Sequence, residues 1–339
     1  MLAGQIFAPR QIRLVDVPEP AAPPVRGDTG AGEILFQPEL GSLCGSDLLY
    51  FEADYPEFQP GPGHSLHEVI GTILEATGER FRVGDRVLCV PQDQAGLCER
   101  FWVSEERAIP LDPRPPEEHA VLAQPLGTVL YALRKLPSVL DLDVAVVGQG
   151  PIGQLFCAAL RNLGARRIFA IDRLASRLQT SPKMGATDVI EVGAEDPVEA
   201  IHRATDGAMP HLVVEAIGHR EQQLNLCIEL CRPEGRILAF GALPERVDGV
   251  RWGRLYRKNL TVQASVDPDF GRDFPLAMRW IAEGRIDVSP LLTHRFGLPE
   301  VQLAFDTFFE RRDGALKVLI DFVGRPRSGS SSSDLEVPS

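Results

Sequence analysis

Val144-Ala-Val-Val-Gly-Gln-Gly-Pro-Ile-Gly153, followed downstream by Asp172, is the stretch on which the reading of this chain turns. An apolar run of strand type ends at Gly148, whose missing side chain permits a tight turn. Gly150 lets a backbone approach a pyrophosphate, and Gly153 lets the next helix pack closely on the strand. The helix expected from Gly153 presents unpaired N–H groups and the positive end of its dipole, with Pro151 and Ile152 completing the loop. A GxGxxG pattern alone is weak, but here both flanks agree. A helix-patterned Leu155-Phe-Cys-Ala-Ala-Leu160 follows, and then a second apolar strand, Ile168-Phe-Ala-Ile171, runs into an acid. The stretch therefore predicts a dinucleotide site on a parallel sheet. A carboxylate at Asp172 accepts hydrogen bonds from an unmodified ribose and repels a 2′-phosphate, which favours NAD(H) over NADP(H). Arg173 and Arg177 pull the other way, since either can stack on adenine or meet a 2′-phosphate if Asp172 turns away. Asp172 as a plain helix N-cap is the alternative reading.

With 339 residues the chain is expected to form about two domains. At 44% hydrophobic and 24% charged residues it has the composition of a soluble globular protein. It lacks the roughly 20-residue apolar run of a membrane span and a basic, apolar leader, so a cytoplasmic location is expected. A net charge of −12 argues against nucleic acid or an anionic membrane surface as partner. The six cysteines are scattered without a CxxC pair and suggest no disulfide framework.

Before about residue 115, short apolar runs at Gly4–Phe7, Glu33–Pro38, Glu68–Glu75 and Arg86–Val90 alternate with Pro and Gly, which reads as a β-rich domain. From Glu117 the pattern changes to helices alternating with strands at Val144–Val147, Ile168–Ile171, Asp188–Val192, Leu212–Ala216, Arg236–Gly241 and Thr261–Ala264. That alternation implies an α/β, doubly wound parallel sheet. A helical stretch at Phe274–Glu283 closes it. Strands at Leu292–Phe296 and Lys317–Asp321, around a helix near Glu300–Glu310, are expected to return to the first domain. The expected division is 1–117 with 285–323, then 118–284, with 324–339 as a disordered tail.

Two short segments carry metal-type chemistry: Cys44-Gly-Ser-Asp47 and His67-Glu68. Thiolate plus imidazole suits zinc, and one further protein ligand would leave a position open for substrate. A lone Cys and a lone His are also common as structural residues, and His64 competes with His67 for the role.

At this point the chain resembles the zinc-dependent medium-chain dehydrogenase/reductase family, particularly its polyol and threonine dehydrogenase branch, from about residue 4 to 322. Gly41-Ser-Leu-Cys-Gly-Ser-Asp47 is similar to the family's first zinc motif. Leu66-His-Glu-Val-Ile-Gly-Thr-Ile73 is similar to its GHE motif with Leu66 in place of glycine, a register that selects His67 over His64. Gly84-Asp-Arg-Val87, Leu212-Val-Val-Glu-Ala-Ile-Gly218, Pro233-Glu-Gly-Arg-Ile237 and Arg311-Arg-Asp-Gly-Ala-Leu-Lys317 resemble later signatures in the same order. The resemblance implies a GroES-like β-rich catalytic domain with a Rossmann cofactor domain. It implies zinc on Cys44 and His67, Asp47 orienting His67, Ser46 accepting the substrate proton, and Glu68 as an alternative or exchanging ligand. It also places Ala216 and Gly218 at the cofactor.

Three departures from the family pattern stand out. Val121-Leu-Ala-Gln-Pro-Leu126 carries Gln124 where the branch has an acidic third ligand; an amide oxygen coordinates without charge, which would leave a more Lewis-acidic and more loosely held metal. Pro91-Gln-Asp-Gln-Ala95 stands where a four-cysteine structural-zinc lobe is expected, and Cys89 and Cys98 cannot rebuild it, so one catalytic zinc and no structural zinc are expected. Leu49 replaces a proton-relaying histidine, leaving water, Tyr50 or Glu52 for that task.

The expected activity is zinc-dependent hydride transfer between NAD(H) and a secondary alcohol or ketone of a polyol, cyclitol, sugar or amino-alcohol. Arg100, Trp102, Tyr50 and Arg254 are candidate substrate contacts. The competing readings are a zinc-independent NADPH-dependent enoyl or quinone reductase, and a non-catalytic NAD(H)-binding protein. A homodimer or homotetramer is expected, with Arg251–Ala264 as a candidate pairing region.

Overall fold

The computed structural model describes residues 1–23, 32–52, 60–218, 221–242 and 246–323, the side chains of 221 and 222 excepted. The expected tail at 324–339 lies outside the described residues.

Six short strands, Asp143–Val147, Arg167–Asp172, Asp188–Glu191, Leu212–Glu215, Arg236–Ala239 and Thr261–Ala264, form one wholly parallel sheet. Counted in chain order, they lie as 3-2-1-4-5-6, the doubly wound order, whose direction reverses beside the first strand. Asp143–Val147 is buried at every residue, as expected of a central strand covered by helices on both faces. Pro151–Asn162 is one of these helices. It begins at Pro151 with Gly150 as N-cap, two residues before the expected start, because proline is pre-organised for the first helical position.

A second, seven-stranded sheet runs Leu292–Gly297, Lys317–Asp321, Glu33–Ser42, Glu68–Ala76, Arg86–Cys89, Ala108–Pro110, with Phe101–Ser104 also paired to Glu33–Ser42. The expected strand at Glu33–Pro38 continues through Pro38 to Ser42. A register shift between Pro38 and Leu40 absorbs the residue that cannot donate. A hairpin of Leu2–Ala8 and Gln11–Asp16 stands beside this sheet.

The two sheets share a core. Leu40, Ile70, Leu88 and Leu319 of the mixed sheet lie in one buried cluster with Leu126, Val129 and Leu130 of helix Ala123–Arg134 and with Val144 and Val146 of the parallel sheet. Among the described residues no helix is long and apolar enough to cross a membrane.

Candidate metal and cofactor site

Register assembles the first half of the site. Ser42 pairs with Glu68 on one side and Leu319 on the other, so the chain leaving Ser42 and the chain entering Glu68 meet at one end of the sheet. Cys44 follows the first by two residues and His67 precedes the second by one. Ligand atoms of Cys44, His67 and Glu68 consequently lie within 4.8 Å of one another.

Asp47 ties the two segments together. Its buried carboxylate accepts from Cys44 N at 2.7 Å, from Ser65 Oγ at 2.8 Å and from Leu66 N at 2.9 Å. Asp47 acts here on the backbones on either side of the site, including Leu66 next to His67, and among the described residues His67 Nδ1 has no hydrogen-bond partner. The fastening holds Ser65 and Leu66 at positive φ, 108° and 62°, where side-chain-bearing residues are strained. Ser46 Oγ is also buried, without a hydrogen-bond partner among the described residues.

The donor set suits a zinc ion: a thiol sulfur, an imidazole and a carboxylate in one cluster, with an imidazole nitrogen left over. Burial by itself would lower the His67 imidazole. The Cys44 sulfur that it hydrogen-bonds, together with the charges of Asp47 and Glu68, outweighs burial and pushes it up to about 9. Glu68 is not idle, because Lys317 Nζ contacts its two oxygens at 2.5 and 2.7 Å with both residues buried. Gln124 is buried in the first turn of helix Ala123–Arg134, whose Ala123 and Leu126 share the core with Leu40 and Ile70.

The remaining candidates are spread more widely. Tyr50 meets His64 edge-on at 4.3 Å between ring centroids. Arg100 pairs with Glu19 at 2.9 Å, and Trp102 Nε1 donates to Pro20 O at 3.3 Å. Arg254 is bound to Glu229 at 2.6 Å on helix Trp252–Arg257. Leu49 is half-buried in the short helix Asp47–Glu52.

The glycine loop has the geometry its residues dictate. Gly148 turns at φ +97°, and a Cβ on Gly153 would collide with the Gly148 carbonyl oxygen. A Cβ on Gly150 would stand in van der Waals contact with the Arg177 guanidinium, 3.7 to 3.9 Å away. Asp172 accepts from Gln149 N at 2.7 Å and Leu174 N at 2.9 Å, with Arg177 at 3.6 Å. It thus braces the loop, and the N-cap of the following helix is Leu174 rather than Asp172. Burial lowers Arg177, and the neighbouring charges of Arg311 and Arg173 add to that effect. Across the crevice, Glu215 Oε1 accepts from Ile217 N and Gly218 N at 2.9 and 2.8 Å, which sets the turn through Ala216 to Gly218, itself at φ +69°.

Reading the sequence missed Glu215, Gln149 and Lys317. Lys317 did leave a signal, as a lone lysine heading the apolar strand Lys317–Asp321 in a chain with four lysines.

Residues 30–112 match the model of the alcohol dehydrogenase GroES-like domain, and residues 151–283 that of the zinc-binding dehydrogenase. The L-threonine 3-dehydrogenase of Bacillus licheniformis is 31% identical over 305 residues, covering 81% of this chain and 87% of that protein. The sorbitol dehydrogenase of Ovis aries is 24% identical, covering 93% and 94%. Among solved structures, the alcohol dehydrogenase TADH from Thermus sp. ATN1 superposes with a TM-score of 0.80 at 24% identity, covering 95% of this chain and all of that one.

Proposed function

The chain belongs to the zinc-dependent medium-chain dehydrogenase/reductase family, and from that membership we propose that it passes a hydride between NAD(H) and a secondary alcohol or ketone on a polyol-like skeleton. The observation that carries this reading is the Cys44, His67 and Glu68 cluster at one end of the mixed sheet, with the unpartnered Ser46 hydroxyl two residues from Cys44. Cys44 and His67 are the residues that would hold one zinc ion per chain, with Gln124 or Glu68 completing the set. A zinc ion there supplies Lewis acidity toward a C–O bond. Ser46 accepts the substrate hydroxyl proton, and Asp47 keeps the segments bearing Cys44 and His67 in register. Gly148, Gly150 and Gly153 admit the pyrophosphate against the N-terminus of helix Pro151–Asn162.

Asp172, at the end of the second parallel strand, supports NAD(H) as cofactor. One observation favours NADP(H) instead: Asp172 already accepts two backbone N–H groups, while Arg173, Arg177 and Arg311 lie close enough to act on one another. The ratio of KM values for the two cofactors decides between them. Polyol-type substrates are supported by the similarity to a sorbitol dehydrogenase and to an erythritol/L-threitol dehydrogenase. The catalytic unit proposed is 1–117 with 285–323, and the cofactor unit 118–284. The six cysteines are free, which suits a reducing compartment such as the cytoplasm.

A homodimer is proposed through the open edge of the parallel sheet. Among the described residues strand Thr261–Ala264 is unpaired on one side, and Trp252, Tyr256, Val262 and Val266 beside it are 68, 73, 42 and 75% exposed.

The deciding experiment is elemental mass spectrometry of protein purified without chelator, coupled to turnover with secondary alcohols. About one zinc per chain is expected, and Cys44→Ser and His67→Ala are expected to lose metal and turnover together. Near-normal turnover in a metal-free variant would show the reading to be wrong.

A further inference from the structure

We infer that the amino ends of the central parallel strands carry a second binding site, centred on Arg232, for a small organic carboxylate with an apolar body. The inference is independent of the metal and cofactor readings.

A cavity of about 220 Å³ opens there between three connections. Residues 136–142 lead into strand Asp143–Val147, His211 stands at the head of strand Leu212–Glu215, and residues 232–235 lead into strand Arg236–Ala239. The three strands are parallel, so the cavity lies at the opposite end of the sheet from the glycine loop, roughly 13 Å away along Asp143–Val147. Ligands of such sheets bind outside the carboxyl ends of the strands, so the cavity lies outside the cofactor crevice.

Its floor is apolar: Val139 and Leu212 are buried, and Leu136 and Leu142 half-buried. Its charges are unmatched. Arg232 is half-buried and Arg236 exposed, and among the described residues neither guanidinium has a hydrogen bond or an ion pair. In a chain with 47 acidic and 35 basic residues that calls for an explanation, the more so because Arg166 and Arg167 nearby are both taken by Asp143, at 2.8 and 2.6 Å. Glu234 also lines the cavity, but it is exposed and, among the described residues, pairs with neither arginine. His211 Nδ1 accepts from Asp143 N at 3.4 Å, which leaves Nε2–H as the donor of the ring. Burial lowers this imidazole, and the charge of Arg232 adds to the effect, so it lines the cavity uncharged. A guanidinium partly withdrawn from water gains more from an anion than a solvated one does. Its fork suits the two oxygens of a carboxylate, and the apolar floor beside it selects a carboxylate bearing a ring or branched chain over a bare anion. The volume is below the roughly 300 Å³ at which sites for drug-sized ligands begin, so a molecule of about ten non-hydrogen atoms fits.

The test is a fluorine NMR titration of the full-length chain, with zinc and after its removal, using 4-fluorobenzoate as probe. Saturable broadening with a dissociation constant in the millimolar range or tighter is expected, with or without zinc. 4-Fluorobenzamide, which keeps the ring and loses the charge, is expected to bind about tenfold more weakly. Acetate, which keeps the charge and loses the ring, should displace the probe only at about tenfold higher concentration or more. Arg232→Met is expected to weaken the probe about tenfold or more. Ser138→Glu, at an exposed position of the lining, is expected to do the same by like-charge repulsion, and decides the matter if Arg232→Met does not fold. Absence of binding, or equal affinity in wild type and variants, overturns the inference. Binding that survives Arg232→Met and disappears with zinc puts the probe on the metal and overturns it too.

Discussion

Replacing Asp47 by asparagine tests the clamp across the site. The carboxylate accepts three hydrogen bonds at 2.7 to 2.9 Å in a fully buried position. An amide has one acceptor oxygen. If that oxygen serves Ser65 Oγ and Leu66 N, the amide NH2 faces the Cys44 N–H, donor against donor. One buried N–H left without a partner costs about 1–3 kcal/mol, and the two surviving bonds lose their charge assistance, for a total near 3 kcal/mol. Alanine removes all three bonds at about 1.5 kcal/mol or more each, for about 5 kcal/mol. With about 2.1 cal/mol/K of unfolding entropy per residue, a chain of 339 residues unfolds with roughly 0.7 kcal/mol/K. The expected fall in Tm is then about 4 °C for Asp47→Asn and about 7 °C for Asp47→Ala. Scanning calorimetry on metal-free protein reads this without a contribution from bound metal. An Asp47→Asn variant melting within about 1 °C of wild type would refute the reasoning, because the buried N–H would then have found another acceptor.

Three further outcomes are expected. Gly153→Ala puts a methyl group into the Gly148 carbonyl oxygen; it should destabilise by about 1–3 kcal/mol and abolish measurable cofactor binding in calorimetric titration, and normal binding would contradict the packing role of Gly153. Asp143 is raised by burial but more strongly lowered by hydrogen bonds from Arg166 and Arg167, to about 2 from an ordinary 3.8. A depressed carboxylate stabilises above its unfolded value and loses that contribution as pH falls toward 2, so the wild type should lose stability between about pH 4 and 2; Asp143→Asn should be less stable at pH 6 and flatter across that window, and equal slopes in denaturant titrations would count against the ion pairs. Trp252→Glu combined with Tyr256→Glu places charge in the proposed contact beside Thr261–Ala264; sedimentation should shift from dimer to monomer, and an unchanged profile would remove that surface as the interface.

Much of the cofactor half was legible because its strands carry short apolar runs, such as Val144–Val147 and Ile168–Ile171, with glycines nearby in the chain, so composition and punctuation agreed. The strand Thr261–Ala264 and the strand Lys317–Asp321 were read with the bounds they have. The strands Phe101–Ser104 and Ala108–Pro110 were missed because four and three residues carry too little pattern. Gln11–Asp16 was passed over because three of its six residues are charged or amide. Pro38 suggested an end to its strand, and only the pairing with Glu68–Ala76 reveals the irregularity that carries it on to Ser42. The types of the site residues could be read from spacing and resemblance, but their partners could not. The engagement of Asp47 with two backbone amides, and of Glu68 with a lysine 249 positions away, depends on which strands lie side by side.

That last separation bears on how the protein is made. Cys44, Ser46 and His67 emerge early in synthesis, and the entire parallel sheet can assemble while Lys317 is still to be added. Until the strand Lys317–Asp321 docks beside Glu33–Ser42, Glu68 has no counter-charge to be buried with, and burying it alone is disfavoured by several kcal/mol. The mixed sheet therefore has a reason to stay open at that edge in the nascent chain. Closure arrives with one of the last strands made, so the metal centre matures late, and an incompletely synthesised chain is distinguishable from a finished one by an unsealed β sheet.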